Sequence, residues 1–199
     1  MIRNVLHRIV ANPRVYDLVQ WAVGGKIVDE HIRRVMQTIA SPHAVIDIGG
    51  GTGTMRELLP ADCLYICLDI DPQKLSGIRT STEGRSAILG DATRAPFRTN
   101  SIDMVVCKFL YHHITNELAG NLLDECYRTL KPEGLLLFVE PLRNDRRFRS
   151  RFLWKYDRGS FPRSVQEIKD ALSVDGNIIH CTEFSCIHQY IVCVVRPNK

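Results

Sequence analysis

Between Val45 and Thr54 the chain reads Val-Ile-Asp-Ile-Gly-Gly-Gly-Thr-Gly-Thr, and this run restricts the available folds more than any other segment. Strand-type residues pass directly into a glycine cluster, and a short helical pattern follows from Met55 to Leu59. A strand that turns at once into a helix needs positive backbone dihedrals, which glycine adopts at little steric cost. Glycine also lacks the side chain that would hold a ligand away from the backbone. Such a turn builds a nucleotide-sized seat at the C-terminal end of a strand, beside a helix N-terminus. The same residues would also serve as a tight turn that holds nothing.

The spacing narrows the choice of nucleotide. A dinucleotide fingerprint, Gly-x-Gly-x-x-Gly, needs a third glycine where the helix packs on the strand. Counted from Gly49 and Gly51, that position is Thr54, so the fingerprint fails. No Gly-Lys-Ser/Thr ending is present either, which excludes a P-loop. Asp47 stands two positions before the first glycine. A carboxylate at the mouth of this loop repels a pyrophosphate and favours a cationic amino or sulfonium group.

Two further acids extend the pattern. Leu64–Leu68 is a second apolar run, ending at Asp69-Ile70-Asp71-Pro72. An acid about twenty positions beyond the glycine loop, at the tip of the neighbouring strand, suits a ribose diol, because a carboxylate accepts two hydroxyl protons. Asp69 fits that role. Asp71, directly before Pro72, reads as a helix N-cap followed by proline at the first helical position. A third run, Ala87-Ile88-Leu89, ends at Gly90-Asp91-Ala92. There Asp91 could accept from an adenine amino group while the Ala92 amide reaches a ring nitrogen, or Asp91 could simply cap its loop.

The rest of the chain suits one α/β domain over residues 1–199, a doubly wound sheet with helices on both faces. At 199 residues it is long enough to bury such a core. A net charge of +4 is too small to mark a dedicated nucleic-acid binder. Seven cysteines form no C-x-x-C pair and several fall inside strand patterns, which reads as buried thiols in a reducing cytoplasm. No apolar run approaches the ~20 residues of a membrane span, and the start of the chain, with Arg3, His7 and Arg8, has no signal-peptide core.

Strand patterns fall near 44–48, 64–69, 86–89, 102–107 and 134–140. Residues 1–40 read as an N-terminal helical cap. In it Val28, Ile32, Val35, Met36 and Ile39 recur at helical spacing, and Gly24-Gly25 ends an earlier helix containing Tyr16, Leu18, Val19 and Trp21. A helix near 115–130 places Leu118, Leu122, Leu123, Cys126 and Leu130 on one face. Ser164 and Glu167 form a capping box for a helix near 165–173. Runs at 178–186 and 188–195 suit a hairpin.

Together these pieces resemble a class I S-adenosylmethionine-dependent methyltransferase of the small-molecule type, similar to the ubiquinone/menaquinone methyltransferase group. The resemblance rests on Asp47 to Gly53, Leu68 to Pro72, Gly90 to Ala92, Phe97 to Val106, Leu110 to His113, and Leu130 to Gly134 before Leu135 to Val139. It covers roughly residues 40 to 142. It implies a seven-stranded mixed sheet, Rossmann-like, of order 3-2-1-4-5-7-6 with one late antiparallel strand. It also implies S-adenosyl-L-methionine as cofactor and methyl transfer as the reaction. Carried over by position, the cofactor contacts are Asp47, Gly49, Gly50, Gly51, Asp69, Ile70, Asp91, Ala92 and, through its backbone, Lys108. No metal is implied, and no particular acceptor.

Methyl transfer from a sulfonium mainly requires alignment, with a general base only where the acceptor is protonated, as in a phenol, a thiol or a carbon acid. His112 and His113, just past the fourth strand, are the candidates, with His112 ahead; either could instead cap the next helix or pack under the cofactor. Glu140-Pro141 ends the fifth strand towards the same pocket. Residues 143–163 read as a substrate-side lid. Within 143–158, Arg146, Arg149 or Arg151 would hold an anionic group and Phe148, Phe152 and Tyr156 would cover an aromatic or apolar body. The same pattern also fits a surface helix with solvated arginines. Tyr16 would touch the methionine portion or the acceptor, or simply pack.

Absences point to a small-molecule acceptor. The fourth strand runs into Cys107-Lys108-Phe109-Leu110, not the Asp/Asn-Pro-Pro-aromatic motif of base-amino methyltransferases. The Pro-Cys pair, the paired-glutamate loop and the magnesium-binding acids of other classes are missing too. Two alternatives stand beside this reading: a non-catalytic S-adenosylmethionine-binding module that regulates a partner, and a nicotinamide-dependent oxidoreductase.

Overall fold

The computed structural model describes residues 24–78, 84–143, 161–186 and 189–199. Helix α1 (Lys26–Met36) precedes strands β1 (Ala44–Ile48) and β2 (Leu64–Asp69). A four-residue helix α2 (Pro72–Leu75) and strand β3 (Arg85–Leu89) follow, then β4 (Ile102–Lys108), helix α3 (Asn116–Thr129) and β5 (Leu130–Pro141). Helix α4 (Val165–Leu172) and the hairpin β6 (Gly176–Ser185) and β7 (Gln189–Pro197) complete the described chain. The seven strands form one sheet in the order β3-β2-β1-β4-β5-β7-β6. The first five lie parallel, β7 runs antiparallel to β5, and β6 runs antiparallel to β7.

Strand alternation sorts the core into two layers. On one face Ile46, Ile48, Val105, Cys107, Leu136 and Phe138 pack under Leu122, Leu123 and Cys126 of α3 and Ile168 and Leu172 of α4. On the other, Val45, Met104, Val106, Leu137 and Val139 pack against Val28, Ile32 and Val35 of α1. Central strands covered on both faces need apolar residues at every position, which is why β1, β4 and β5 read as continuous hydrophobic runs. The Ser164 capping box forms: its side chain accepts from the Glu167 amide, and the Glu167 carboxylate accepts from the Ser164 amide.

Several sequence expectations shift. Helix α1 stops at Met36, and Ile39 packs against the core from the segment beyond it. Leu118 is exposed on α3, where Ala119 takes the buried position, and Leu130 is already the first residue of β5. The helical pattern after the glycine loop is a 3-10 helix, Thr54–Leu58. The earlier N-terminal helix with Tyr16, and the Arg- and aromatic-rich stretch within 144–160, lie outside the described residues. No described helix is long and apolar enough to cross a membrane.

Candidate functional site

The tips of β1, β2, β3 and β4 surround a cavity of about 480 Å³. Its floor is the glycine loop, with Gly49, Gly51 and Gly53 all at positive φ (68°, 58° and 75°). The Gly49 and Gly50 amides donate to the Leu68 carbonyl (2.7 and 3.2 Å), hooking the loop onto β2. Gly50 is required for a different reason. A Cβ there would stand 2.5 Å from Asp47 Oδ2 and 2.7 Å from Cys67 Sγ.

Asp47 lies beneath this loop rather than at its mouth. It is buried, lines the cavity, and accepts the Tyr65 hydroxyl at Oδ2 (2.6 Å). Burial pushes its carboxyl up to about 6, against the lowering effects of the Tyr65 hydrogen bond and the nearby Lys108 ammonium. Asp69 is braced on both oxygens: Oδ2 accepts the Gly51 amide (2.9 Å) and Oδ1 the Asp71 amide (2.8 Å). Each carboxylate oxygen has a second lone pair, so this bracing leaves acceptor capacity towards the cavity. Asp71 is the N-cap expected of it, accepting the Gln73 amide (2.9 Å). Asp91 caps its own turn through Oδ1, which accepts the Thr93 amide and hydroxyl, and it also lines the cavity with Ala92. The cap is thus formed, and it leaves Asp91 on the cavity wall.

All nine positions carried over as cofactor contacts line this one cavity. Six carboxyl groups line it (Asp29, Asp47, Glu57, Asp69, Asp71 and Asp91) against three amines (Lys26, Lys74 and Lys108). That excess disfavours a pyrophosphate and suits an adenosyl group with a cationic tail.

The two histidines part company. His113 is exposed and lines the cavity with Phe109, Leu110 and Ile114. His112 is buried, and its Nδ1 meets Glu140 Oε2 at 2.6 Å. Glu140 Oε1 accepts the Tyr111 amide (2.5 Å), so one buried carboxylate fixes the turn that carries both rings, whose centroids lie 4.1 Å apart. Glu140 is therefore a brace behind the wall, not a lining group.

Sequence reading missed two contributors. Arg163 is buried with its guanidinium 4.0 Å from the Tyr111 ring. It donates to the carbonyls of Tyr111 (2.6 Å) and Ile114 (3.1 Å) and so clasps the same wall. Asp29 on α1 accepts from Lys108 Nζ (2.9 Å) across 79 positions of sequence. Asp29 sits at an exposed-looking position of an amphipathic helix, and an arginine in a loop carries no burial signal; a strand aromatic such as Tyr65 signals packing, not its hydroxyl's partner.

Comparison with known proteins places the fold. The family model described as a methyltransferase domain matches residues 46–138. An uncharacterized methyltransferase-like protein of Schizosaccharomyces pombe is 32% identical over 103 residues, covering 51% of this chain and 39% of that protein. The malonyl-[acyl-carrier protein] O-methyltransferase 1 of Coxiella burnetii is 28% identical, covering 69% of this chain and 46% of its own length. The chain thus spans about half or less of these relatives. The ubiquinone/menaquinone biosynthesis C-methyltransferase UbiE of Cereibacter sphaeroides is 25% identical over 209 residues, covering 98% of this chain and 76% of the enzyme. In fold, the chain superposes on the N-methyltransferase NodS of Bradyrhizobium japonicum, solved with S-adenosyl-L-homocysteine. That match has a TM-score of 0.72 at 12% identity, covering 87% of each chain.

Proposed function

We propose that the chain is a class I S-adenosylmethionine-dependent methyltransferase, a reading supported by the methyltransferase-domain match over residues 46–138 and by the likeness to UbiE, and that it moves the cofactor's methyl group to a small-molecule acceptor by in-line displacement. The observation that carries the reading is the alignment of Asp47, Asp69 and Asp91, each at or just past the tip of successive sheet neighbours β1, β2 and β3, around one cavity. When bound, the cofactor supplies a sulfonium methyl that is already activated, so the protein's task is mainly alignment.

The residues divide that task. Asp69, held by two amides, presents acceptors to a ribose diol. Asp91 and the Ala92 amide meet the adenine edge, and Ile70 offers its exposed side chain to the ring. Asp47 faces the cationic end from below the loop. Across the cavity, Leu110, His113 and Ile114 form the wall nearest the acceptor. His113 takes the proton where the acceptor is a phenol, a thiol or a carbon acid. His112 acts behind it, held by Glu140, as a positioning residue.

What supports a small-molecule acceptor is that the base-amino, cytosine-C5 and arginine-methyltransferase motifs do not occur in the sequence. The test is a screen of phenols, thiols, amines and acyl or lipid carboxylates, read as S-adenosylhomocysteine release. Turnover with one acceptor class supports the proposal. Binding of S-adenosylhomocysteine with no turnover on any class, and none restored by a partner-free change of conditions, favours the regulatory-module alternative instead.

A further inference from the structure

One end of the cavity holds a cation that the methyl-transfer reading has not used. Lys108 ends β4 and lines the cavity with a side chain 14% exposed. Its Nζ donates to Asp29 Oδ1 (2.9 Å), lies 5.5 Å from the Phe109 ring centroid, and stands close enough to Asp47 to lower that carboxyl's proton affinity. An ammonium has three N–H donors, and the Asp29 bond uses one. The groups facing Lys108 are thus two carboxylates on different elements, one on α1 and one under the glycine loop.

We infer that the Lys108 side chain is a specificity determinant for the α-carboxylate of the cofactor's amino-acid end, with Asp29 as the positioning residue that keeps Nζ at the cavity wall. This rests on the methyltransferase reading and deepens it. The Lys108 and Asp47 charges match a zwitterion: Asp47 sits beside the glycine loop and takes the ammonium, while Lys108 takes the carboxylate. The backbone of Lys108 can contact the ligand as well, but the charge makes the side chain selective. An adenosyl ligand without an amino-acid end leaves a largely desolvated ammonium facing empty cavity. One that keeps the amine but lacks the carboxylate brings a second cation to the same wall. Both are selected against.

The test is a calorimetric titration of the intact protein and its Lys108→Met and Lys108→Arg variants. The probes are S-adenosylhomocysteine, decarboxylated S-adenosylhomocysteine and methylthioadenosine. In the unaltered protein, S-adenosylhomocysteine should bind about ten- to a hundredfold more tightly than the decarboxylated compound, as expected for a charged hydrogen bond. Lys108→Met should remove that ratio while leaving methylthioadenosine affinity unchanged, which also shows that the fold survives. Lys108→Arg should restore most of the ratio. Asp29→Asn should lower it severalfold. Equal affinity for the first two probes in the unaltered protein overturns the Lys108 role without touching the methyltransferase reading, and needs no variant to fold. Failure of all three nucleosides to bind overturns both.

Discussion

Asp69→Asn separates the binding role of this carboxylate from its structural one. The native group accepts the Gly51 and Asp71 amides on different oxygens, at 2.9 and 2.8 Å, and is 6% exposed. The amide side chain keeps the shape but offers one acceptor; its NH2 must oppose one of the two backbone donors. Leaving one buried donor unmet costs about 1–3 kcal/mol, which for a domain of this size lowers the melting temperature by roughly 2–12 °C. The fold should survive that loss. Binding should suffer more. One charged hydrogen bond to the ribose diol, worth about 1.5–3 kcal/mol, is lost and the other weakens to a neutral one, so the dissociation constant for S-adenosylhomocysteine should rise about ten- to a thousandfold. Calorimetric titration well below the melting point, with differential scanning fluorimetry beside it, reads both. A melting temperature that falls while affinity stays within about threefold would refute the reasoning and leave Asp69 as a loop brace.

Four other outcomes follow from the structure. Because the Asp47 carboxyl sits at about 6, cofactor affinity should fall as pH drops through that value, and Asp47→Asn should flatten the profile. The stability sign is opposite: a folded value above the ordinary 3.8 means that Asp47 contributes stability fully below pH 3.8, lost as pH rises through about 6. His113→Ala should leave S-adenosylhomocysteine affinity intact while slowing turnover of protonated acceptors. Glu140→Ala, which removes the carboxylate from the Tyr111 amide and His112 together, should destabilise the fold by about 3–5 kcal/mol in chemical denaturation. Cys181 and Cys193 face each other across β6 and β7 with sulfurs 2.8 Å apart. Glutathione disulfide should link them, each new bond releasing two glutathione thiols, as read by mass spectrometry after cleavage at Glu183 and Tyr190; unlinked thiols would count against that pairing.

What could be read from sequence was whatever has a local period or a short-range geometric demand. The glycine loop, the Asp71 cap, the Ser164 capping box and the continuous apolar strands all depend on neighbours within a few residues, and each stands where the pattern places it. The strand order was supplied by family resemblance, since no pattern in β6 and β7 alone says that β7 inserts beside β5. Side-chain direction was less legible. His112 and His113 are adjacent in a 3-10 turn, and which ring meets solvent depends on Glu140 and Arg163, dozens of residues away. The Lys108–Asp29 pair is likewise invisible until α1 packs on the sheet. Leu118 shows the opposite error: helical spacing marks it as core, but the sheet face is already filled by Ala119, Leu122 and Leu123.

The central claim is that the cavity at the tips of β1 to β4 holds an adenosyl group with a cationic tail, not a dinucleotide. Titration of the purified protein with S-adenosylmethionine and, in parallel, with NADH tests it most directly. The account predicts saturable one-to-one binding of S-adenosylmethionine, competed by S-adenosylhomocysteine, and no comparable binding of NADH. Tight binding of NADH with none of S-adenosylmethionine would contradict it.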